Sequence, residues 1–359
     1  MNKLFRFVFH SWPGWLLVLT PVAIIMEFSH VSGLWMFLVS AAAIIPLAGI
    51  LGEATEELAL HMGPAAGGLL NATFGNAGEL IIAFFALRAG HPEVVQASLS
   101  GSIIGNVLLV FGLSAFLGGL GRERQHFNRT VASSNTTMLL LAVAALIMPA
   151  VFSLVVYGSL QTVQPAVEVL SRWTAVVLIA IYAAGLVFSL VTHKNLFGAT
   201  EHHPPRLSRG AAVTILLVAT GLVAWLSEIF VGAIEPATHA LGMSPLFVGV
   251  MVVAIIGNAA EHAAAVMLAR RNQMDLALGV SVGSSVQIAL LVAPLLVLCS
   301  PLLGQHLSLL FNPFEIAAVV LSVLVVAMVV LDGETTWFEG LQLLGLYTIL
   351  ALAFYFVPA

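Results

Sequence analysis

Apolar residues run along this chain in long blocks, separated by short segments that carry most of the charged side chains. A helix that crosses a bilayer needs about 20 mostly apolar residues, and neighbouring helices can satisfy the backbone groups that an interior proline frees. The blocks predict eleven such helices, over residues 14–30, 34–52, 65–87, 94–118, 137–156, 173–192, 211–232, 245–269, 276–298, 313–331 and 339–357. We therefore predict an all-α polytopic membrane protein.

Composition agrees with this prediction and excludes a water-soluble globular protein. Of the 359 residues, 60% are hydrophobic and only 8% are charged. Pro21 and Glu27 interrupt the first block, but it is not followed by the small-residue cleavage site that ends a signal peptide. The single cysteine, Cys299, excludes an intrachain disulfide, and the net charge of −5 argues against a nucleic-acid partner.

Lysine and arginine fall almost entirely on one side of the predicted membrane. Cytoplasmic loops carry the excess of these residues, so their distribution predicts the orientation of the chain. On the side of the N-terminus lie Lys3, Arg6, Arg122, Arg124, Arg129, Lys194, Arg206, Arg209, Arg270 and Arg271. The other side has only Arg88 and Arg172. We therefore expect a cytoplasmic N-terminus and an external C-terminus.

Two pairs of matching blocks indicate an internal repeat. GNAGE at 75–79 corresponds to GNAAE at 257–261, and GS at 101–102 corresponds to GS at 283–284, both at a separation of 182. The predicted divisions are an N-terminal segment with the first helix (1–33), repeat 1 with helices 2–6 (34–192), a cytoplasmic linker (193–210) and repeat 2 with helices 7–11 (211–359). Because each repeat has an odd number of helices, the two repeats are inverted. Many secondary transporters have this design, with their ion sites near the bilayer midplane.

The matching blocks contain one carboxylate each, Glu79 and Glu261. An ionised carboxylate at the bilayer centre costs about 2.5–3.5 kcal/mol on insertion scales, so each needs a partner or a proton. No lysine or arginine lies near either residue in its own helix. Each glutamate follows an asparagine by three residues, which places Asn76 with Glu79, and Asn258 with Glu261, on one helix face. We predict an oxygen-rich site without a built-in cation.

Neighbouring helices add neutral oxygen atoms to this site. The supporting residues are Ser102 and Asn106 in the fourth helix and Ser284 and Gln287 in the ninth. Two carboxylates with amide and hydroxyl oxygens favour a hard cation, and Ca²⁺ takes 6–8 oxygen ligands. Without the metal, burial and mutual repulsion favour protonation of the same carboxylates. Competition between Ca²⁺ and H⁺ for Glu79 and Glu261 is a sufficient physical basis for exchange.

Longer stretches around these residues resemble the Ca²⁺/cation antiporter superfamily, specifically its Ca²⁺/H⁺ exchanger branch. The stretches are NATFGNAGELI (71–81), SLSGSIIGNVLLVFG (98–112), GNAAEHAAAV (257–266) and GVSVGSSVQIALLVAP (279–294). The resemblance implies one extra helix followed by two inverted five-helix repeats. It implies that Glu79 and Glu261 are the central ligands and proton acceptors. It also implies that Ser102, Asn106, Ser284 and Gln287 are supporting ligands or gate residues.

This interpretation leads to further expectations about partners and location. We expect Ca²⁺ and H⁺ to be the transported ions, with no cofactor and no obligatory protein partner. We expect the host to be a prokaryotic inner membrane.

Glutamates at helix ends are candidates for the access paths. Glu56 and Glu235 correspond between the repeats at a separation of 179, and they are expected at acidic mouths on opposite faces. Ordinary solvated helix ends are the alternative. His262 points about 100° away from the preceding glutamate, so it either relays protons or packs through a hydrogen bond. His202 and His203 are expected in a solvated loop.

Other classes of function fit the sequence less well. An ATP-driven pump needs a nucleotide domain, and the pattern G-x-x-x-x-G-K-[ST] is absent. A membrane-embedded protease lacks its residues, because Asp275 and Asp332 are the only aspartates, both lie in predicted loops, and H-E-x-x-H does not occur. We therefore predict that the chain is not an enzyme. A cation channel, a Na⁺(K⁺)/Ca²⁺ exchanger and another cation/H⁺ antiporter of the same fold stay open as alternatives.

Overall fold

Long helices form almost all of the regular structure in this computed structural model, which describes residues 14–29, 31–160, 164–194, 196 and 204–358. The helices are α1 (Gly14–Phe28), α2 (Gly33–Leu60), α3 (Pro64–Phe74), α4 (Ala77–Arg88), α5 (Pro92–Gly119), α6 (Arg129–Tyr157), α7 (Pro165–Thr192), α8 (Arg209–Gly232), α9 (Ile234–Leu241), α10 (Pro245–Arg270), α11 (Met274–Leu303), α12 (Pro313–Val329) and α13 (Trp337–Tyr355). The strands β1 (Gln125–His126) and β2 (Glu334–Thr335) pair in antiparallel fashion. Lys3, Arg6, His202 and His203 lie outside the described residues.

Eight of the described helices are long and apolar enough to cross a membrane. The pair α3 and α4 makes a ninth if the two form one span, bent by 43°. The helices α1 and α12 are apolar but shorter, and α12 has 17 residues. These helices follow the order of the predicted ones, while a total of eleven crossings stays a prediction.

Three predicted helix ends were each wrong by eight residues. The helix α2 ends at Leu60 and not at 52, α6 begins at Arg129 and not at 137, and α7 begins at Pro165 and not at 173. Hydropathy locates the apolar part of a helix, whereas its first turn is fixed by capping groups. For α6 the cap is Asn128, whose side chain accepts hydrogen bonds from the Thr130 and Val131 amides. The predicted helix over 65–87 is broken, since α3 and α4 are separate.

The connections between helices meet at two ends of the bundle. One end, here called the linker end, holds the α5–α6, α10–α11 and α12–α13 connections. There the Arg122 guanidinium donates to the Arg270 carbonyl at 3.0 Å, and Arg124 pairs with Glu334. At the opposite end, the Gln96 side chain donates to the Ser308 carbonyl at 2.8 Å. Arginine is concentrated in the described loops of the linker end, so the predicted orientation would place this end in the cytoplasm.

The helices α5 and α10 cross with their backbones in close contact. A Cβ atom built on Gly101 would lie only 2.6 Å from the Val250 carbonyl carbon. Small residues at such crossings allow two membrane helices to approach closely. The crossing lies next to Ser102 and brings it to Asn258 on α10.

We expect Gly101→Ala to destabilise the bundle, because the added methyl group has no space at this crossing. Overpacking of this kind costs about 1–3 kcal/mol, and more where backbone must move. The matched control is Gly105→Ala on the same helix, where a Cβ atom would meet nothing within 4 Å. Thermal unfolding in detergent should show a lower Tm for the first variant alone. Equal Tm values for the two variants would contradict this crossing.

Candidate ion-binding site

The two motif glutamates lie on helices of different shape. Glu79 is in the first turn of α4, just after the break at residues 75–76. A Cβ atom on Gly75 would lie 2.8 Å from the Asn71 carbonyl oxygen, so glycine permits the bend. In contrast, Glu261 lies within the continuous helix α10. Both motifs nevertheless contact Ser284 on α11.

Ser284 on α11 joins the two motifs. Its hydroxyl oxygen lies 2.7 Å from Asn76 Oδ1 and 2.8 Å from Glu261 Oε2. The Asn76 amide nitrogen donates to Gln287 Oε1. One hydroxyl proton serves only one acceptor, so both contacts of Ser284 are satisfied when Glu261 carries a proton and donates it to Ser284. The arrangement therefore accommodates a proton on Glu261.

A second cluster lies where α5 meets α10. The Asn258 amide nitrogen donates to Ser102 Oγ at 3.0 Å and to the Ala254 carbonyl at 2.9 Å. Asn106 Oδ1 lies 3.2 Å from His262 Nε2. His262 is thus hydrogen-bonded within the bundle, as one of the two alternatives predicted.

Two buried oxygen atoms in this region have no hydrogen-bond partner: Glu79 Oε1 and Asn258 Oδ1. Such atoms are rare in native proteins, and each costs about 1–3 kcal/mol unless a ligand, ion or water satisfies it. The Glu79 side chain packs on Gly257, where a Cβ atom would lie 3.0 Å from Glu79 Cγ, so it lies beside Asn258. Glu261 lies one turn beyond Gly257 on the same helix, so the two carboxylates share this region and repel each other when both are ionised. A cation between these groups would satisfy both free oxygens and remove the repulsion.

The atoms that this cluster offers to a cation are oxygens. Among the described residues, no three histidine, cysteine, aspartate or glutamate side chains come together. The site therefore offers two carboxylates with amide and hydroxyl oxygens, which suits a hard cation and not zinc or copper.

Most predicted site residues lie in the region around Glu79 and Glu261. Two nearby serines bond to their own helices instead. Ser98 and Ser281, which share helix faces with the supporting residues, donate instead to the Val95 and Ala277 carbonyls of their own helices. Glu56 and Glu235 are both exposed, and their place on an access path stays a prediction.

The two sides of the cluster differ in packing. Toward the linker end, Asn71 and Thr73 on α3 are both exposed. Toward the opposite end, Ile82 on α4 and Val250 on α10 are each 1% exposed. The helices are therefore packed more closely on the side away from the linker end.

Two contacts were not predicted from the sequence. The Tyr182 hydroxyl on α7 donates to the Ala72 carbonyl at 2.9 Å, in the last turn of α3. Glu57 is buried and accepts hydrogen bonds from the Arg206 and Leu207 amides, at 2.8 and 3.1 Å, which fixes the end of the linker to α2. The contact of Tyr182 has a signal in the sequence, namely a tyrosine within an apolar block. The hydroxyl of such a tyrosine needs a hydrogen-bond partner when it is buried.

The match to known proteins covers nearly the whole chain. The family model described as sodium/calcium exchanger protein matches residues 32–191 and 211–356. The chain belongs to this exchanger family. Together with the Ca²⁺/H⁺ antiporters that resemble the chain, this match confirms the predicted resemblance.

Individual exchangers resemble the chain over almost all of their length. A Ca²⁺/H⁺ antiporter of Synechocystis sp. is 45% identical over 364 residues, covering 96% of both chains. The Ca²⁺/H⁺ antiporter ChaA of Bacillus subtilis is 42% identical over 342 residues, covering 93% of this chain and 96% of that protein. The solved structure of native YfkE superimposes with a TM-score of 0.83 at 38% identity, covering 99% of this chain and 100% of that one. The predicted all-α membrane fold is confirmed.

Proposed function

We propose that this exchanger transports Ca²⁺ in exchange for H⁺ by alternating access, with Glu79 and Glu261 as shared Ca²⁺ ligands and proton acceptors. The observation that carries the proposal is the pair of unpaired buried oxygens, Glu79 Oε1 and Asn258 Oδ1, beside a second carboxylate that contacts Ser284. The names of the similar antiporters support the same pair of ions.

The hydrogen bonds indicate how one site serves both ions. With a proton on Glu261, Ser284 accepts from the carboxyl and donates to Asn76. When the proton leaves, the Ser284 hydroxyl can donate to only one of its two acceptors, Asn76 or Glu261. The ionised carboxylates then attract a divalent cation. Ca²⁺ then takes Glu79, Glu261 and the free amide oxygen of Asn258, and protons returning on the other side displace it.

The looser packing toward the linker end supports one half of this cycle. In this proposal, ions reach the cluster past α3, and the closely packed halves of α4 and α10 close the other side. Transport requires a second state, open to the opposite end, and the predicted inverted repeats would offer such a state by exchanging the roles of the two halves. With the predicted orientation, this state would face the cytoplasm, and inward proton flow would drive Ca²⁺ out of the cell.

Uptake of ⁴⁵Ca²⁺ into proteoliposomes tests the proposal. We expect uptake that requires an imposed pH gradient, saturates with Ca²⁺ and ignores a Na⁺ gradient. Vesicles with the pH gradient collapsed by an ionophore are the control. Uptake driven by Na⁺ would favour a Na⁺/Ca²⁺ exchanger of the same fold, and flux that does not saturate would favour a channel. Either outcome would overturn Ca²⁺/H⁺ exchange.

A further inference from the structure

One buried carboxylate lies outside the cation site. Glu315, in the first turn of α12, is 2% exposed. Its Oε2 accepts a hydrogen bond from the Asn312 amide at 3.0 Å, which completes a capping box at the start of the helix. Its Oε1 accepts from the Ser100 hydroxyl of α5 at 2.7 Å. A capping glutamate needs only the first contact, so the second joins two helices.

Glu315 and Ser100 are partners in surroundings that are otherwise apolar. A small cavity beside the two residues is lined otherwise by apolar side chains of α5, α6 and α12, such as Ile103, Leu146 and Val319. In such surroundings a polar group without a partner is costly, so the Ser100–Glu315 pair fixes the distance between α5 and α12.

The same face of α5 carries a second attachment. Gln96, one turn before Ser100, donates to the Ser308 and Leu310 carbonyls at 2.8 and 3.3 Å. Residues 308–315 are therefore held along one side of α5. Ser102 lies about 160° away on the opposite side, where it accepts from Asn258.

We propose that Glu315 is a positioning residue for the cation site. By holding Ser100, it fixes the position of α5, so that Ser102 holds the amide nitrogen of Asn258 and leaves Asn258 Oδ1 free for the ion. This inference rests on the proposed function, since the bound cation gives the free oxygen its role. Glu315 acts through α5 and does not contact the ion.

The chain offers variants that separate this role from helix capping. In Glu315→Gln, the amide nitrogen can donate to Ser100 Oγ while the Ser100 hydroxyl donates to the Ala97 carbonyl, which lies 3.0 Å away. The amide oxygen can still accept from the Asn312 amide, so both attachments survive. Glu315→Ala removes both attachments, and Ser100→Ala removes only the link between the helices.

A matched control lies at the start of α13. Glu339 completes a second capping box within the described residues, accepting from the Thr336 amide at 2.7 Å. Among the described residues, its side chain accepts hydrogen bonds from residues 335 and 336, so Glu339→Ala removes a cap without releasing α5.

The test measures Ca²⁺ KM and maximal rate in proteoliposomes, per folded molecule, for these variants. We expect Glu315→Ala and Ser100→Ala each to raise KM by roughly three- to tenfold, within the coupling that contacting residues show. The double variant should be no worse than Glu315→Ala, and Glu315→Gln should restore a KM near that of the wild type. Glu339→Ala should lower Tm and leave KM unchanged.

The inference is overturned if Glu315→Ala changes only Tm, as the control does, or if the effects of Ser100→Ala and Glu315→Ala on KM multiply independently. A wild-type protein without Ca²⁺/H⁺ exchange would instead contradict the proposed function. Calorimetry of Ca²⁺ binding to the same variants distinguishes the two failures, because it reports affinity without transport.

Discussion

Replacing either central glutamate by glutamine should abolish exchange while leaving the bundle folded. Glutamine keeps the volume of the side chain and, at position 261, a hydrogen bond to Ser284, but it removes a negative charge from the cation site. Loss of one partner of a buried charge interaction costs roughly 2–5 kcal/mol, so we expect at least about a thirtyfold loss of Ca²⁺ transport for Glu79→Gln and Glu261→Gln.

The controls for these variants lie on the surface. Glu123 is exposed at the linker end, and Glu123→Gln should transport normally. Glu56→Gln should only slow transport if Glu56 lies on the access path. All four variants should unfold at similar temperatures in detergent. Normal exchange by Glu79→Gln or Glu261→Gln, per folded molecule, would remove these carboxylates from the mechanism.

The apparent affinity for Ca²⁺ should fall steeply as the medium becomes more acidic. Ca²⁺ binds the ionised carboxylates, whereas protons bind the same groups, so acid favours the metal-free form. Where the site is protonated, each proton displaced weakens Ca²⁺ binding by about tenfold per pH unit. Ca²⁺ KM, measured in proteoliposomes across the neutral range with equal pH on both sides, should therefore rise with acidity.

The slope of this dependence reports how many protons share the site. Wild-type protein should show a steeper dependence than a Glu261→Gln variant with measurable residual activity, because glutamine cannot take up the second proton. A Ca²⁺ KM that is independent of pH would contradict competition at the two glutamates.

The repeat marks most residues of the candidate site in the sequence. Residues matched at a separation of 182 are expected at equivalent places of the two predicted inverted halves, so the prediction brings them together. The structure places Asn76 beside Ser284, and Asn258 beside Ser102. Their role in ion binding stays a prediction. The access paths through Glu56 and Glu235 stay predictions.

The different shapes of the two motif helices could not be predicted, because both contain the same Gly-Asn pair. Contacts with other helices explain why the chain breaks at Asn76 and continues as a helix through Asn258. Asn258 donates to the Ala254 carbonyl of its own helix, and α10 continues through the motif. The Asn76 side chain instead contacts Ser284 and Gln287 on α11, and Tyr182 holds the carbonyl of Ala72 in the last turn of α3.

Glu315 could not be predicted from the repeat. The repeat marks only the carboxylates that it duplicates, and Glu315 is not among them. A signal was present, since Asn312 and Glu315 have the spacing of a capping box. The contact with Ser100 joins residues 215 positions apart, which local pattern does not reveal.

Proton release on Ca²⁺ binding tests the central claim most directly. Isothermal titration calorimetry of the purified protein, in buffers that differ in ionisation enthalpy, counts the protons released for each Ca²⁺ bound. We expect wild-type protein to release protons near neutral pH, and Glu79→Gln and Glu261→Gln to release fewer, with Glu123→Gln matching the wild type. Ca²⁺ binding without proton release, or with the same release in all variants, would contradict a site that the two ions share.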